Sequence, residues 1–551
     1  MRRKMGRDGF ESAPRRERVR PRYFNLRFKT ENSKERFSMH QCLTRALAVV
    51  AASAMTFLPV SPPLAQDKGD SSTKTPIKHV VVIFQENVSF DHYFGTYPHA
   101  KENNDGSKYF RGAKDDTPRV NNLESAGLLT NNPNAADPFR IDRKNANTCD
   151  EDHSYGDEEF AFDGGLMDRF AKLSCKDSNI GPFSTMGYYD GNTVSALWNY
   201  AQHFAMSDHS FGTTFGPSTP GLLNLVAGNT FEGTIMNGKS GKGNIAGGGS
   251  AGAVIGDPDP FGDVCSAPGR AQITMSGQNI GDLLNKAGVT WGSFMGGFAN
   301  CAAISTGTTG LTTADYIPHH AFFQYWQSTL NAHHTPRTSV AMIGHQGDAA
   351  NHEYDLTDFW DAVKAHNMPA VSFLKAKAIQ DGHAGYSDPL DEQIFLVSTI
   401  NALEKTDEWQ ETSVIIAYDD SDGWYDHVMG PIVNQSNVID DQLLGAGNCG
   451  TPKAVDAAGD IQNGRCGYGP RLPLLVISPF ARRNYVDHRV TDQSSILRFI
   501  EDNWSLGRIG NGSTDAIAGP LNGLFDFDAA GPNHKLFLDP ATGQILNSGA
   551  E

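Results

Sequence analysis

The apolar residues of this chain gather in short unbroken runs. Residues 80–84 (VVVIF), 414–417 (VIIA) and 472–477 (LPLLVI) are flanked by polar or turn-forming residues such as Pro479. A strand covered on one face alternates apolar and polar positions, whereas one covered on both faces is apolar throughout. The three runs therefore predict central strands of a parallel sheet. Longer segments with helical periodicity predict helices over 193–206, 221–228, 321–331, 356–366, 391–405 and 493–503, the last capped by Asp492. The glycine-rich stretch 237–256 predicts a surface loop, and no internal repeat is present. Strands interleaved with helices predict an α/β fold with long loops inserted into a mainly parallel sheet.

Two of these runs end in a similar way. The first passes into Gln85, Glu86 and Asn87, and the second into Tyr418, Asp419 and Asp420. Ligands of open α/β sheets collect at the carboxyl ends of the strands. Oxygen-bearing side chains at two strand ends, more than 300 residues apart, predict one converging site.

The first 38 residues are rich in arginine and lack apolar periodicity. Met39 to Arg45, the run ALAVVAASAMTFLPV and small residues up to Ala65 have the three parts of a secretory signal peptide. The run is shorter than the ~20 residues of a membrane span, and Pro59 and Pro62 close it. The expected organisation is a basic extension with signal peptide over 1–65, translation starting at Met1 or Met39, followed by one catalytic domain over 66–551. The product is expected to be exported, to the periplasm or beyond, with no stable membrane partner after cleavage.

Without residues 1–65 the chain carries 32 basic and 58 acidic side chains. A net charge of −26 speaks against nucleic acid or an anionic membrane as a standing partner and accords with cation binding. Six of the seven cysteines remain, an even number as a disulfide set requires, and sequential pairing is expected: 149 with 175, 265 with 301, 449 with 466.

Several motifs fall away on inspection. GTIMNGKS, 233–240, fits a phosphate-binding loop formally, but no buried strand precedes it and no helix follows. His352-Glu353 begins like a zinc-protease motif, yet Leu356 stands where the second histidine belongs. FGPSTPG is more informative: Pro220 suits a first helical turn, so Ser218 or Thr219 lies at or just before the N-cap, where an anion is stabilised. The histidines cluster as well, with His319 next to His320, His153 among acids, His383 in GHAGYSDP and His427 in DGWYDHV. With the four strand-end residues they form a plausible metal and acid–base set for hydrolysis.

FQENVSFDHYFGTYP, FGPSTPG, IPHHAFFQYW, GHAGYSDP and AYDDSDGWYDHV resemble, in this order, the motifs of the bacterial phosphoesterase family, which includes phospholipases C and acid phosphatases. The resemblance spans about residues 79–504. It is closer to the acid-phosphatase branch, because FGPSTPG has serine where the phospholipases usually have threonine. It implies an alkaline-phosphatase-like α/β fold, with Ser218 as metal-bound nucleophile and Glu86, Asn87, Asp419 and Asp420 as the other metal ligands. It implies phosphate-binding or acid–base roles for His153, His320 and His383, with His319 as their neighbour. Asp426 and His427 match a shared motif as readily for structure as for function. Ser89, Asp91 and His92 are assigned to the turn and helix start that hold Glu86 and Asn87.

The expected function is phosphoester hydrolysis through a phosphoserine: an acid phosphatase, with phospholipase C activity as an extension. The alternatives are a dedicated phospholipase C and a non-catalytic cation-binding surface protein of the same fold. The expected substrate is a small phosphate ester or a phospholipid. One divalent ion is expected, with calcium, magnesium, manganese, zinc and iron all open, and the oligomeric state is left open.

Overall fold

The computed structural model describes residues 72–546 apart from 113, 115, 432–466 and 529–533. All of them belong to one unit, 65–551. The frame is an eight-stranded sheet made, in chain order, of β1 (His79–Gln85), β2 (Ala205–Ser207), β3 (Trp291–Met295), β4 (Glu353–Asp355), β5 (Val371–Lys375), β6 (Thr412–Tyr418), β7 (Leu474–Ile477) and β8 (Tyr485–Asp487). Their spatial order is β4-β3-β5-β1-β6-β7-β2-β8. β1 lies between β5 and β6 and runs parallel to both.

The runs at 80–84 and 414–417 are thus the central parallel strands expected. The third run corrects the expectation: β7 is central but antiparallel to both neighbours. An unbroken apolar run reports that both faces are buried; direction depends on connectivity.

Helices α1 (Phe90–Phe94), α3 (Ser195–His203), α4 (Ser218–Ala227), α5 (Leu356–Lys364), α6 (Pro389–Leu403) and α7 (Gln493–Trp504) share the core of this sheet, and α2 (Tyr155–Phe162) joins a smaller core with Phe215 and Tyr425. Asp492 caps α7 as expected, accepting from the Ser494 amide. Ser89 caps α1, in agreement with its assignment to the helix start.

The helix expected over 321–331 is absent; a short 3-10 turn, Pro318–His320, is followed by turns. Phe322, Phe323, Tyr325 and Trp326 are buried, and both phenylalanines pack on Phe373 of β5. Their backbone is engaged elsewhere, since the Tyr325 carbonyl accepts from Met275 and the Gln324 side chain accepts from Asn331. These aromatic rings are core. Part of the glycine-rich stretch is likewise core: residues 253–256 are buried, and Ala251–Gly252 pairs with Gly233–Ile235 in a small sheet.

Disulfides join Cys149 to Cys175 and Cys265 to Cys301, as sequential pairing anticipates. Cys449 and Cys466 lie outside the described residues, as does the signal segment. Among the described residues, no helix is long and apolar enough to cross a membrane.

Candidate active site

The register of β1 against β6 runs from His79–Thr412 to Gln85–Tyr418, so the next residues, Glu86 and Asp419, leave the sheet side by side. Backbone bonds tie the two exits together. Asp419 N–H donates to Gln85 O (3.2 Å), and Val88 N–H donates to Asp420 O (2.9 Å). The Asn87 amide donates to Asp419 Oδ1 at 2.9 Å. Asn87 holds a left-handed φ of 60°, a conformation that asparagine tolerates better than most residues. This turn aims its carboxamide back across the strand ends.

Helix α4 brings Ser218 to the same place. Gly216, at φ 109°, makes the turn before it, with its amide held by Glu158 Oε2 at 2.7 Å. Gly221 lets the helix approach β6, because a Cβ there would lie 2.3 Å from the Asp419 carbonyl oxygen. Ser218 is the first residue of the helix, just inside the predicted cap, and its hydroxyl donates to Glu86 Oε2 at 2.9 Å.

The helix start is less open to an anion than its sequence suggests. The Thr219 amide already donates to Asp257 Oδ1 at 2.9 Å.

The other expected residues divide into four positions. His320 Nδ1 lies 3.3 Å from Glu86 Oε1 and 3.8 Å from Asp381 Oδ2. His153 lies on the far side of Asn87, its Nε2 3.4 Å from Asn87 Nδ2 and its Nδ1 3.3 Å from Asp422 Oδ1, and its ring faces His383 at 6.2 Å. His319 turns away, with Nδ1 3.6 Å from Asp259 Oδ1. It touches His320 ring to ring but does not reach the Glu86 cluster. Asp426 and His427 belong to a separate buried network with Asp91 and Arg471.

Three participants escape the sequence reading. Lys375, the last residue of β5, donates its ammonium to Glu86 Oε1. Asp381 sends its backbone carbonyl to the Glu86 amide and its carboxylate toward His320. Asp422 accepts from Asn87 Nδ2 at 3.0 Å. A lysine ending the apolar segment VSFLK was the available signal, since a charge at the end of a buried strand demands a partner.

Glu86, Asp381, Asp419, Asp420 and Asp422 are all buried, with Lys375 as the buried lysine among them. Burial, then Asp419, pushes the Glu86 carboxyl above the usual carboxylate range. Burial, then Asp419, does the same to Asp420. Burial alone would lower the His153 pKa, but Asp420, Asp422 and Asp150 outweigh it and hold that ring protonated. His320 and His383 go the other way. Burial keeps both neutral, His383 falling to about 4.

Four oxygens complete the description. Asn87 Oδ1, Asp419 Oδ2, Asp420 Oδ2 and Asp422 Oδ2 are buried without a hydrogen-bond partner. A buried polar atom left unpaired costs roughly 1–3 kcal/mol, and more if charged. Such a group of acceptors, beside carboxyls destabilised by their own charge, fits a hard divalent cation. The predicted ligands Glu86, Asn87, Asp419, Asp420 and Ser218 are the residues that converge here.

A model of the phosphoesterase family matches residues 77–507. This chain belongs to the phosphoesterase family. The phosphoesterase is 26% identical over 485 residues to the non-hemolytic phospholipase C of Pseudomonas aeruginosa, covering 85% of this chain and 60% of the relative. It is 25% identical over 474 residues to phospholipase C A of Mycobacterium tuberculosis, covering 83% and 79%. The chain thus spans about 60% of the length of the Pseudomonas protein it matches. Among solved structures, a protein of the alkaline phosphatase superfamily from Vibrio parahaemolyticus aligns over 80% of this chain and 71% of its own, at 11% identity and a TM-score of 0.28. That likeness is too low to carry weight, and the α/β architecture of the phosphoesterase rests on its own strand order.

Proposed function

We propose that this phosphoesterase is an exported, metal-dependent hydrolase of phosphate esters that works through a phosphoserine at Ser218. The observation that carries the reading is the Ser218 hydroxyl, at the first turn of a helix, bonded to Glu86 beside four unpaired buried oxygens. Glu86, Asn87, Asp419, Asp420 and Ser218 would hold one divalent ion, and the donor set does not select among calcium, magnesium, manganese, zinc and iron. When bound, such an ion would make the serine oxygen more acidic and offset charge on the phosphate.

The chain's own groups supply the remainder. Ser218 Oγ bonds to phosphorus as the ester oxygen leaves, and its proton passes to Glu86, which it already faces. His153, protonated against its burial, gives a proton to the departing oxygen. The same imidazole then takes a proton from the water that attacks the phosphoserine. Phosphate leaves as the Ser218–phosphorus bond breaks, and Glu86 returns its proton to Ser218 Oγ to restore the hydroxyl. Lys375 balances the charge of Glu86 while that carboxylate is ionised, and neutral His320 offers a ring N–H to a phosphate oxygen. His383 donates Nδ1–H to the Ala384 carbonyl at 2.6 Å, so its Nε2 lone pair accepts from a protonated phosphate oxygen or from water. His319, on Asp259, is a neighbour of this machinery.

Phosphomonoesters at acid pH are the first substrate class, following the serine of FGPSTPG. A dedicated phospholipase C is the second reading, favoured by relatives that bear that name. A non-catalytic cation-binding role is third; every position the chemistry needs is occupied. The purified protein should be assayed with p-nitrophenyl phosphate and phosphatidylcholine in parallel, at pH 5 to 8, before and after chelation. Faster monoester turnover supports the first reading and faster lipid cleavage the second. No hydrolysis of either in metal-replete protein removes both.

A further inference from the structure

A second cluster of imidazoles lies at the opposite edge of the sheet, where the strands begin. A cavity of about 250 Å³ is lined there by His79, Thr290, His345, His366, Asn367 and Glu408, among others. His79 opens β1, whose seven residues place it about 20 Å from Glu86 at the other end. His366 follows α5, and Glu408 begins the short turn Glu408–Glu411 that leads into β6. The cavity thus collects three histidines and a carboxylate from four separate segments.

The hydrogen bonds of two of these rings settle which nitrogen keeps a lone pair. His79 Nδ1 lies 3.0 Å from the Pro369 carbonyl, which only accepts, so Nδ1 carries the proton. His366 Nδ1 lies 3.0 Å from Glu408 Oε1. A carboxylate oxygen accepts, so this contact is made by an Nδ1–H. In the neutral form of either ring the lone pair is therefore on Nε2. Imidazole ligands of metals are oriented this way, with the second nitrogen donating to a carbonyl or carboxylate.

We propose that this cavity binds a divalent transition-metal ion of nickel or zinc type through Nε2 of His79 and His366, with His345 as a third imidazole on its wall. Nitrogen donors favour such ions, whereas the oxygen-rich cluster at Glu86 favours harder ones. The site shares no residue with that cluster, so it stands or falls apart from the phosphoesterase reading.

The test uses tag-free full-length protein, stripped by chelation and titrated with Ni²⁺ by calorimetry, with metal content read by mass spectrometry. Wild type should bind one equivalent more than H79A/H366A. The His366 side chain is 70% exposed, so H366A alone should fold normally and weaken that equivalent at least tenfold. Turnover of p-nitrophenyl phosphate should stay within twofold of wild type in both variants. Equal stoichiometry and affinity in wild type and H366A would overturn the proposal.

Discussion

Two buried clusters of acids, histidine and a cation lie within this protein, and they are satisfied to very different degrees. In the first, Asp91 Oδ2 accepts from both the His427 amide (2.9 Å) and its ring nitrogen (2.5 Å), and Asp91 Oδ1 accepts from the Leu123 amide at 3.2 Å. Arg471 lies 3.2 Å from Asp91 and 3.1 Å from Asp426, and its remaining nitrogen donates to the carbonyls of Asn121 and Asp208. Asp426 Oδ1 takes the Val428 amide at 2.8 Å. Every carboxylate oxygen there has a donor. In the second, around Glu86 and Asp419, four acceptor oxygens have none and the carboxyls are pushed toward neutrality by burial and one another. Residue types alone do not separate the two, because both draw on the same stretches, FQENVSFDHYFGTYP and AYDDSDGWYDHV. Unpaired acceptors do: the first cluster is finished as folded, and the second calls for a cation.

The largest effect that can break this contrast is on turnover. Ser218→Ala should lower kcat for phosphate esters by at least about a thousandfold, equivalent to roughly 4 kcal/mol, with an unchanged melting temperature. Retention of more than a few per cent of activity would move the nucleophile elsewhere. Next comes the satisfied cluster, where Asp91→Asn leaves the buried Arg471 and His427 short of a counter-charge. Denaturant titration should show a loss of roughly 3–5 kcal/mol, while turnover per folded molecule stays within a few-fold. The cluster around Glu86 and Asp419 should respond in the opposite sense. In chelated protein Asp420→Asn removes one of several crowded charges and should raise stability by about 1–2 kcal/mol, while abolishing activity in metal-replete buffer.

The smallest effect is a pH dependence. Burial would lower the His427 pKa, but Asp91 raises it above its ordinary 6.5. A raised imidazole pKa stabilises the fold fully below pH 6.5, and that contribution is lost as pH climbs through the folded value. Asp91 is shifted the other way: burial would raise it, yet His427 and Arg471 hold it below 3.8, so its contribution fades only as pH falls beneath that value. The melting temperature should therefore decline from pH 6 toward pH 9, and His427→Gln should flatten that slope. An unchanged slope would show that the ion pair contributes nothing measurable.

Much of the convergence around Glu86 was legible because a strand buried on both faces cannot tolerate Glu86 or Asp419 without a reason. Each breaks an apolar run at the edge where ligands bind, and Ser218 was marked by the proline and glycine that shape its helix. Lys375 was missed because Ser372 interrupts the apolar pattern of β5. Asp381 and Asp422 were missed because they sit in loops whose approach is set by tertiary packing. The same limit explains β7, whose composition reports burial without direction, and the segment 321–331, where aromatic rings buried in turns imitate helical spacing. His319 and His320 are neighbours in sequence, yet only His320 reaches the cluster, since adjacent side chains in a short turn point apart.

The central claim is that unpaired oxygens on Asn87, Asp419 and Asp420 form a cation site that serves Ser218. Its most direct test is to strip the enzyme by chelation and titrate back a single divalent metal while following metal content and p-nitrophenyl phosphate turnover together. Activity should rise in proportion to occupancy, reach its plateau at one ion per chain for the ion that supports catalysis, and fail to return in Asp420→Asn. Full turnover in metal-free protein would contradict the account.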